Sequence, residues 1–286
     1  MNKRMLYFVG VLLVGLLSLT GCTLTSFYDH VESFEMEVLP APELRGFGTY
    51  QEPNTSSVRL SAQVNLGQRG SETFLDLENS LSGCGRIEDC DGFNKSDFKE
   101  RVTAIYQFVS PIAMASFDYV TKWDMFLIGL GLGADYGGYA DFLVGINTKY
   151  FEMGAAVGLW MMAREFKYMG TEFECTRDIW GAEDDFRYRE FGNSNTGAMV
   201  GFYGGYVTAY YGPFSLNYSF DIYRPNPSYA EADIVADFDL PLVMTEYIMA
   251  GYRFNKNWEF RLGATNVFGE FPGWHWSFNG GVSYYL

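Results

Sequence analysis

Phe214-Ser215-Leu216-Asn217-Tyr218-Ser219-Phe220-Asp221-Ile222 alternates apolar and polar side chains without a break. A strand sends successive side chains to opposite faces, so this stretch has one apolar face and one polar face. The pattern recurs. Val58, Leu60, Ala62, Val64 and Leu66 alternate with Arg59, Ser61, Gln63 and Asn65. Trp258, Phe260 and Leu262 alternate with Glu259, Arg261 and Gly263, and Trp274, Trp276 and Phe278 with His275, Ser277 and Asn279. Phe126, Ile128, Leu130 and Leu132 are separated by single residues, mostly glycine.

Alternation alone also suits a soluble sandwich, but that fold usually has turns of similar length at both ends. Here short turns fall at 121–124, 149–152, 211–213 and 255–257, while longer segments fall at 67–100, 164–196, 224–242 and 266–273. Short turns at one end and long loops at the other mark an up-and-down transmembrane β-barrel. Threading the chain in this way predicts an all-β, antiparallel barrel of about ten strands, with eight to twelve allowed. The strands fall near 57–67, 101–120, 125–134, 139–148, 153–163, 197–210, 214–223, 243–254, 257–265 and 274–286. The second is broken by Ser110-Pro111, which is awkward in a paired strand. An even count starting at residue 57 puts both chain ends on the short-turn side.

Composition agrees. The 286 residues are 18% aromatic and 19% charged, with 32 glycines. Aromatics cluster at the short-turn ends: Tyr119, Trp123, Tyr150, Phe151, Tyr210, Tyr211, Phe214, Tyr252, Phe254, Trp258, Tyr284 and Tyr285. Aromatic girdles flank the apolar band of membrane barrels. The net charge is −15; setting aside Lys3 and Arg4 gives −17 for the rest. That excess of acid excludes nucleic acid as a partner.

Met1 to Cys22 has a basic start, an apolar run from Leu6 to Leu19, and then Thr20-Gly21-Cys22. The run is too short to span a bilayer comfortably and reads as a secretory signal. Leu19-Thr20-Gly21-Cys22 resembles a bacterial lipobox, which implies cleavage after Gly21 and lipid on Cys22. Thr23 in the next position, where Asp would retain the protein elsewhere, implies sorting to the outer membrane. The domain reading is a signal peptide over 1–21, a periplasmic tether over 22–56 and the barrel over 57–286. Pro40, Pro42 and Pro53 make the tether irregular, with a short strand possible over Leu44–Tyr50.

The terminus Asn279-x-Gly281-x-x-Tyr284-x-Leu286 resembles the C-terminal assembly signal of outer-membrane barrels, with Leu286 where Phe or Trp is usual. The resemblance implies three partners: the outer-membrane lipid bilayer, the barrel-assembly machinery and the lipoprotein-sorting machinery. It points to a class and to no individual family.

Cys84 and Cys90 lie close together in an acidic, Gly-rich stretch and are the disulfide candidates in an oxidising compartment; a pairing of either with Cys175 stays open. No His lies near them, which disfavours zinc.

The inward faces are expected to carry Arg59, Asp118, Asp141, Lys149, Asp221, Glu246, Glu259 and Arg261, with His275 near the long-loop rim. A barrel of this size is only slightly wider than one filled by its own side chains, so paired charges in a plugged lumen are expected. An open lumen would prefer cations. His30 and His275 are the two histidines, and His275 with Ser277 completes no triad by spacing. The acidic loop clusters match no calcium-loop spacing. No cofactor, metal site or catalytic residue is assigned. The expected function is a non-enzymatic surface, structural or binding role through acidic extracellular loops. The alternatives are a small cation-preferring channel and a hydrolase sited at the rim.

Overall fold

The computed structural model describes residues 23–67, 70–78, 101–135, 137–178, 184–225, 241–270 and 273–286. Cys22, Cys84, Cys90 and the 1–21 signal lie outside them. The strands are β1 (Thr23–Val38), β2 (Thr55–Gly67), β3 (Gly70–Glu78), β4 (Arg101–Phe108), β5 (Ala113–Trp123), β6 (Phe126–Ala134), β7 (Gly137–Asn147), β8 (Phe151–Asp178), β9 (Asp184–Tyr211), β10 (Phe214–Tyr223), β11 (Val243–Arg253), β12 (Trp258–Gly269) and β13 (His275–Tyr285).

Ten of them close a barrel in the order β8-β7-β6-β5-β2-β13-β12-β11-β10-β9, with β9 returning to β8. Every pairing in the ring is antiparallel. The faces are inverted relative to a soluble protein. Leu60, Val64 and Leu66 are 43%, 53% and 77% exposed, while Arg59, Gln63 and Asn65 beside them are 3%, 6% and 6% exposed. Trp123, Phe126, Tyr150, Tyr211, Phe214 and Trp258 are exposed around the short-turn end, as the girdle requires. Tyr285, expected in that girdle, points inward and is buried.

The 101–120 stretch is two strands, not one broken at Ser110-Pro111. Ser110-Pro111 separates β4, which lies beyond the barrel, from β5, which is barrel wall. Proline at a strand's end leaves no ladder hydrogen bond unmade.

Residues 164–178 and 184–196 are strand, not loop. β8 and β9 stay paired from Glu165↔Thr196 to Arg177↔Asp184, beyond the rim where β7 ends against Met162. At roughly 3.3 Å per residue the 28-residue β8 is about 90 Å long, far more than a bilayer needs. The upper half of β8 also pairs with β1, which pairs with β4, which pairs with β3. The result is a projecting sheet ordered β3-β4-β1-β8-β9. Cys175 lies in it, its backbone between Ser26 and Phe186.

Residues 23–56 are not an irregular tether outside the barrel. Thr23–Val38 is strand β1, and Thr23 pairs with Asp178 at the far end of the projection. Beyond Val38 the chain runs down through the lumen to the short-turn end and enters β2 at Thr55. Even parity does keep Thr55 and Leu286 at one end, but the crossing inside the lumen puts Thr23 at the other.

Candidate functional site

A ring of ten strands leaves a bore slightly too wide for wall side chains alone to fill. One extended chain takes up the difference. Leu39, Ala41, Leu44 and Phe47 are 0–2% exposed within the barrel. Such a chain must satisfy its own backbone polar groups, because no neighbouring strand does so. Wall side chains do this along its length.

Near the long-loop rim, Tyr223 Oη donates to the Leu39 carbonyl (2.7 Å) and accepts from the Leu39 amide (3.3 Å). Thr245 Oγ1 accepts from Ala41 N (3.0 Å), and Tyr247 Oη donates to Ala41 O (2.5 Å). At mid-height the Arg261 fork grips the Glu43 carboxylate, with both side chains 6% exposed. Arg45 donates to Ser116 Oγ (2.8 Å) and reaches Asp118 at 3.5 Å. Arg59 donates to the same Asp118 oxygen (3.0 Å) and to the Gly46 carbonyl. Further down, the Phe47 amide donates to both Glu152 oxygens (3.0 and 3.1 Å), which also accept from Tyr206 Oη (2.8 Å) and Asn147 Nδ2 (2.9 Å). At the short-turn end Asn147 bridges Thr49 O and Gln51 N, and Lys122 Nζ donates to Gln51 O (2.6 Å).

The fit is tight at Gly46. A Cβ there would lie 2.7 Å from both Glu152 Oε1 and a Tyr206 ring carbon. Gly46→Ala is expected to destabilise the fold by about 1–3 kcal/mol, as overpacking does. Gly138→Ala, whose Cβ would meet nothing within 4 Å, should unfold at the wild-type denaturant midpoint and is the matched control.

The charges expected in the lumen divide into two groups. Arg59, Asp118, Asp141, Asp221, Glu259 and Arg261 face inward, and Glu259 accepts from Tyr285 Oη (2.5 Å) and Ser215 Oγ (2.9 Å). Lys149 does not: it is exposed in the 148–150 turn, its ammonium 6.0 Å from the Tyr150 ring centre. Glu246 does not either. Thr245 and Tyr247 point in, so Glu246 between them points out. Asn279 is inward and buried, donating to Thr265 Oγ1, while Leu286 is exposed at the strand's end. His275 lies flat against Phe108 at the rim, ring centroids 3.4 Å apart and planes 12° from parallel.

Glu43, Arg45, Lys122 and Glu152 are functional residues that the periodicity did not single out. A chain lying along a bore has no repeat of its own. The usable signal was composition: Leu39, Ala41, Leu44 and Phe47 around Glu43 and Arg45 are too apolar for a solvated tether.

A recess of about 20 Å³ lies among Glu43, Arg45, Gln63, Ser116 and Tyr139. It suits a water beside the unpartnered Gln63 amide nitrogen, not a solute.

No family model matches the chain, and no curated relative matches it. Solved structures similar to it are barrels. The outer membrane protease OmpT from Escherichia coli aligns with 12% identity and a TM-score of 0.33 over 80% of this chain and 97% of its own. The toluene transporter TodX from P. putida aligns with 8% identity and a TM-score of 0.32 over 82% and 90%. The translocator domain of the autotransporter NalP from Neisseria meningitidis gives 11% identity and a TM-score of 0.31 over 80% and 88%. Alignments this loose do not tell a protease from a transporter.

Proposed function

We propose that the protein is an outer-membrane barrel, sealed by its own N-terminal thread, that acts as a non-enzymatic surface protein through the sheet and loops at its long-loop end. The observation that carries this is the thread. Residues 39–51 fill the bore with side chains and, among the described residues, take hydrogen bonds from seven of the ten wall strands. The inverted faces support the membrane setting, because a belt of exposed Leu, Val and Phe costs free energy in water and none in lipid.

The usual asymmetry of such barrels puts the short turns in the periplasm and the projecting sheet outside. A closed bore with a large platform on one face suits recognition better than passage. Cys22 immediately precedes Thr23, so lipid on it would sit on the long-loop side, away from Leu286. The barrel-assembly and lipoprotein-sorting machineries are the partners proposed for insertion.

The test is conductance in a planar bilayer. The wild-type protein is expected to give no single-channel steps. Steps with cation preference would establish the small-channel reading instead. For the rim hydrolase, a His275→Ala variant that lost a measurable hydrolysis would overturn the non-enzymatic assignment. The flat stacking of His275 on Phe108 favours a packing role for that ring.

A further inference from the structure

Glu246 sits on the outer face of β11, where its neighbours along the strand, Ile248 and Ala250, are exposed apolar groups. Across the strands it forms a row with Phe220, Asn266 and Trp276. Trp276 is 46% exposed, and an exposed tryptophan on this face belongs at the headgroup level. The row therefore lies at the lipid interface on the long-loop side.

A carboxylate on such a face needs a reason. Two neutral donors hold this one: Tyr218 Oη reaches Oε1 at 2.9 Å, and Asn266 Nδ2 reaches Oε2 at 3.3 Å. Among the described residues no Lys, Arg or His pairs with Glu246. A carboxylate has about four lone-pair sites, so acceptor capacity is left over. Asn266 adds more, since it is 0% exposed and its Oδ1 has no partner. The site thus holds one negative charge and surplus acceptors, and what it lacks is a cation rich in N–H donors.

We propose that Tyr218, Glu246 and Asn266 form a lipid-facing site for a primary ammonium group, supplied by the ethanolamine headgroup of a bilayer lipid. The ammonium offers three N–H donors and a full positive charge, and charge-assisted bonds to carboxylate are the strong class. A choline headgroup carries the charge but no N–H, and a glycerol headgroup lacks the charge. Phe220 and Trp276 at the two ends of the row give the lipid's acyl chains an apolar surface. The site rests on the membrane-barrel reading above.

The experiment is native mass spectrometry of the full-length, detergent-extracted protein with phosphatidylethanolamine, phosphatidylcholine and phosphatidylglycerol in equal amounts. Wild type is expected to retain the ethanolamine lipid about fivefold over the other two. Glu246→Gln keeps the side-chain shape and both donors' neighbours, and should bring the three lipids level. Tyr218→Phe should reduce the preference in part. Glu270→Gln, which removes an exposed acid elsewhere on the same side, should leave it unchanged. No headgroup preference in wild type, or a preference kept in Glu246→Gln, overturns the site. So does a wild-type dimer that Glu246→Gln splits, because the occupant would then be a second copy. Failure of the underlying reading looks different: the protein would stay in solution without detergent and retain no lipid of any class.

Discussion

Replacing residues 39–51 with a Gly-Ser linker of equal length is expected to turn a silent barrel into a conducting, cation-preferring pore. The linker keeps the covalent path from β1 to β2 but removes every side chain that the thread puts into the bore. It also behaves as a flexible coil, with no reason to lie along the wall. The wall itself should survive, because its ladders run between wall strands and owe nothing to the thread. The sign of the selectivity follows from what remains. Without Glu43 and Arg45 the lumen keeps Arg59, Lys122, Arg253 and Arg261 against Asp118, Asp135, Asp141, Glu152, Asp221 and Glu259, four cations against six acids among the described residues. Rings of carboxylates select cations. Single-channel recording, with reversal potentials in a KCl gradient, measures both properties. A linker variant as silent as wild type would mean that the wall closes the bore unaided, and the thread would lose its role as the seal.

The barrel was legible because its signals are local. Alternation at Val58–Leu66 and Phe214–Ile222 fixes two faces, and aromatics beside turns fix the end of the barrel at which those turns lie. Loop length was a poorer guide. The 164–196 stretch has the polar, aromatic mixture of a surface loop, yet it forms a long pair of strands because β1 flanks it and satisfies its second edge. No sequence period reports that, since β1 comes from more than a hundred residues away. Glu246 was misassigned for a related reason. The β11 sequence alternates Thr245, Tyr247 and Met249 with Glu246, Ile248 and Ala250, so neither face is uniformly polar. The inward face is marked by Tyr247 reaching the thread, a contact visible only once the thread is known.

Arg261→Ala should be the most damaging single substitution in the lumen, costing about 3–5 kcal/mol, the usual cost of breaking a buried pair by removing one partner. The geometry gives the reason. Both terminal nitrogens of Arg261 engage the Glu43 carboxylate, and both residues are almost fully buried. With the guanidinium gone, Glu43 keeps the Asn217 amide at 3.4 Å, a weak neutral donor for a buried charge. Arg59→Ala should cost less, because its partner Asp118 retains Arg45 at 3.5 Å and the Ser116 hydroxyl at 3.3 Å. Removing both members of the first pair should restore much of the loss. Glu43→Leu with Arg261→Leu leaves no unpaired charge, and apolar replacement of a buried pair is often close to neutral. Urea unfolding followed by gel mobility and tryptophan fluorescence measures all three variants. An Arg261→Ala midpoint within about 1 kcal/mol of wild type would show that water reaches Glu43, and the lumen would be wetter than a sealed bore allows. The double variant adds a second criterion, because a seal that depends on shape should keep it silent in bilayers, while one that depends on charge should leak.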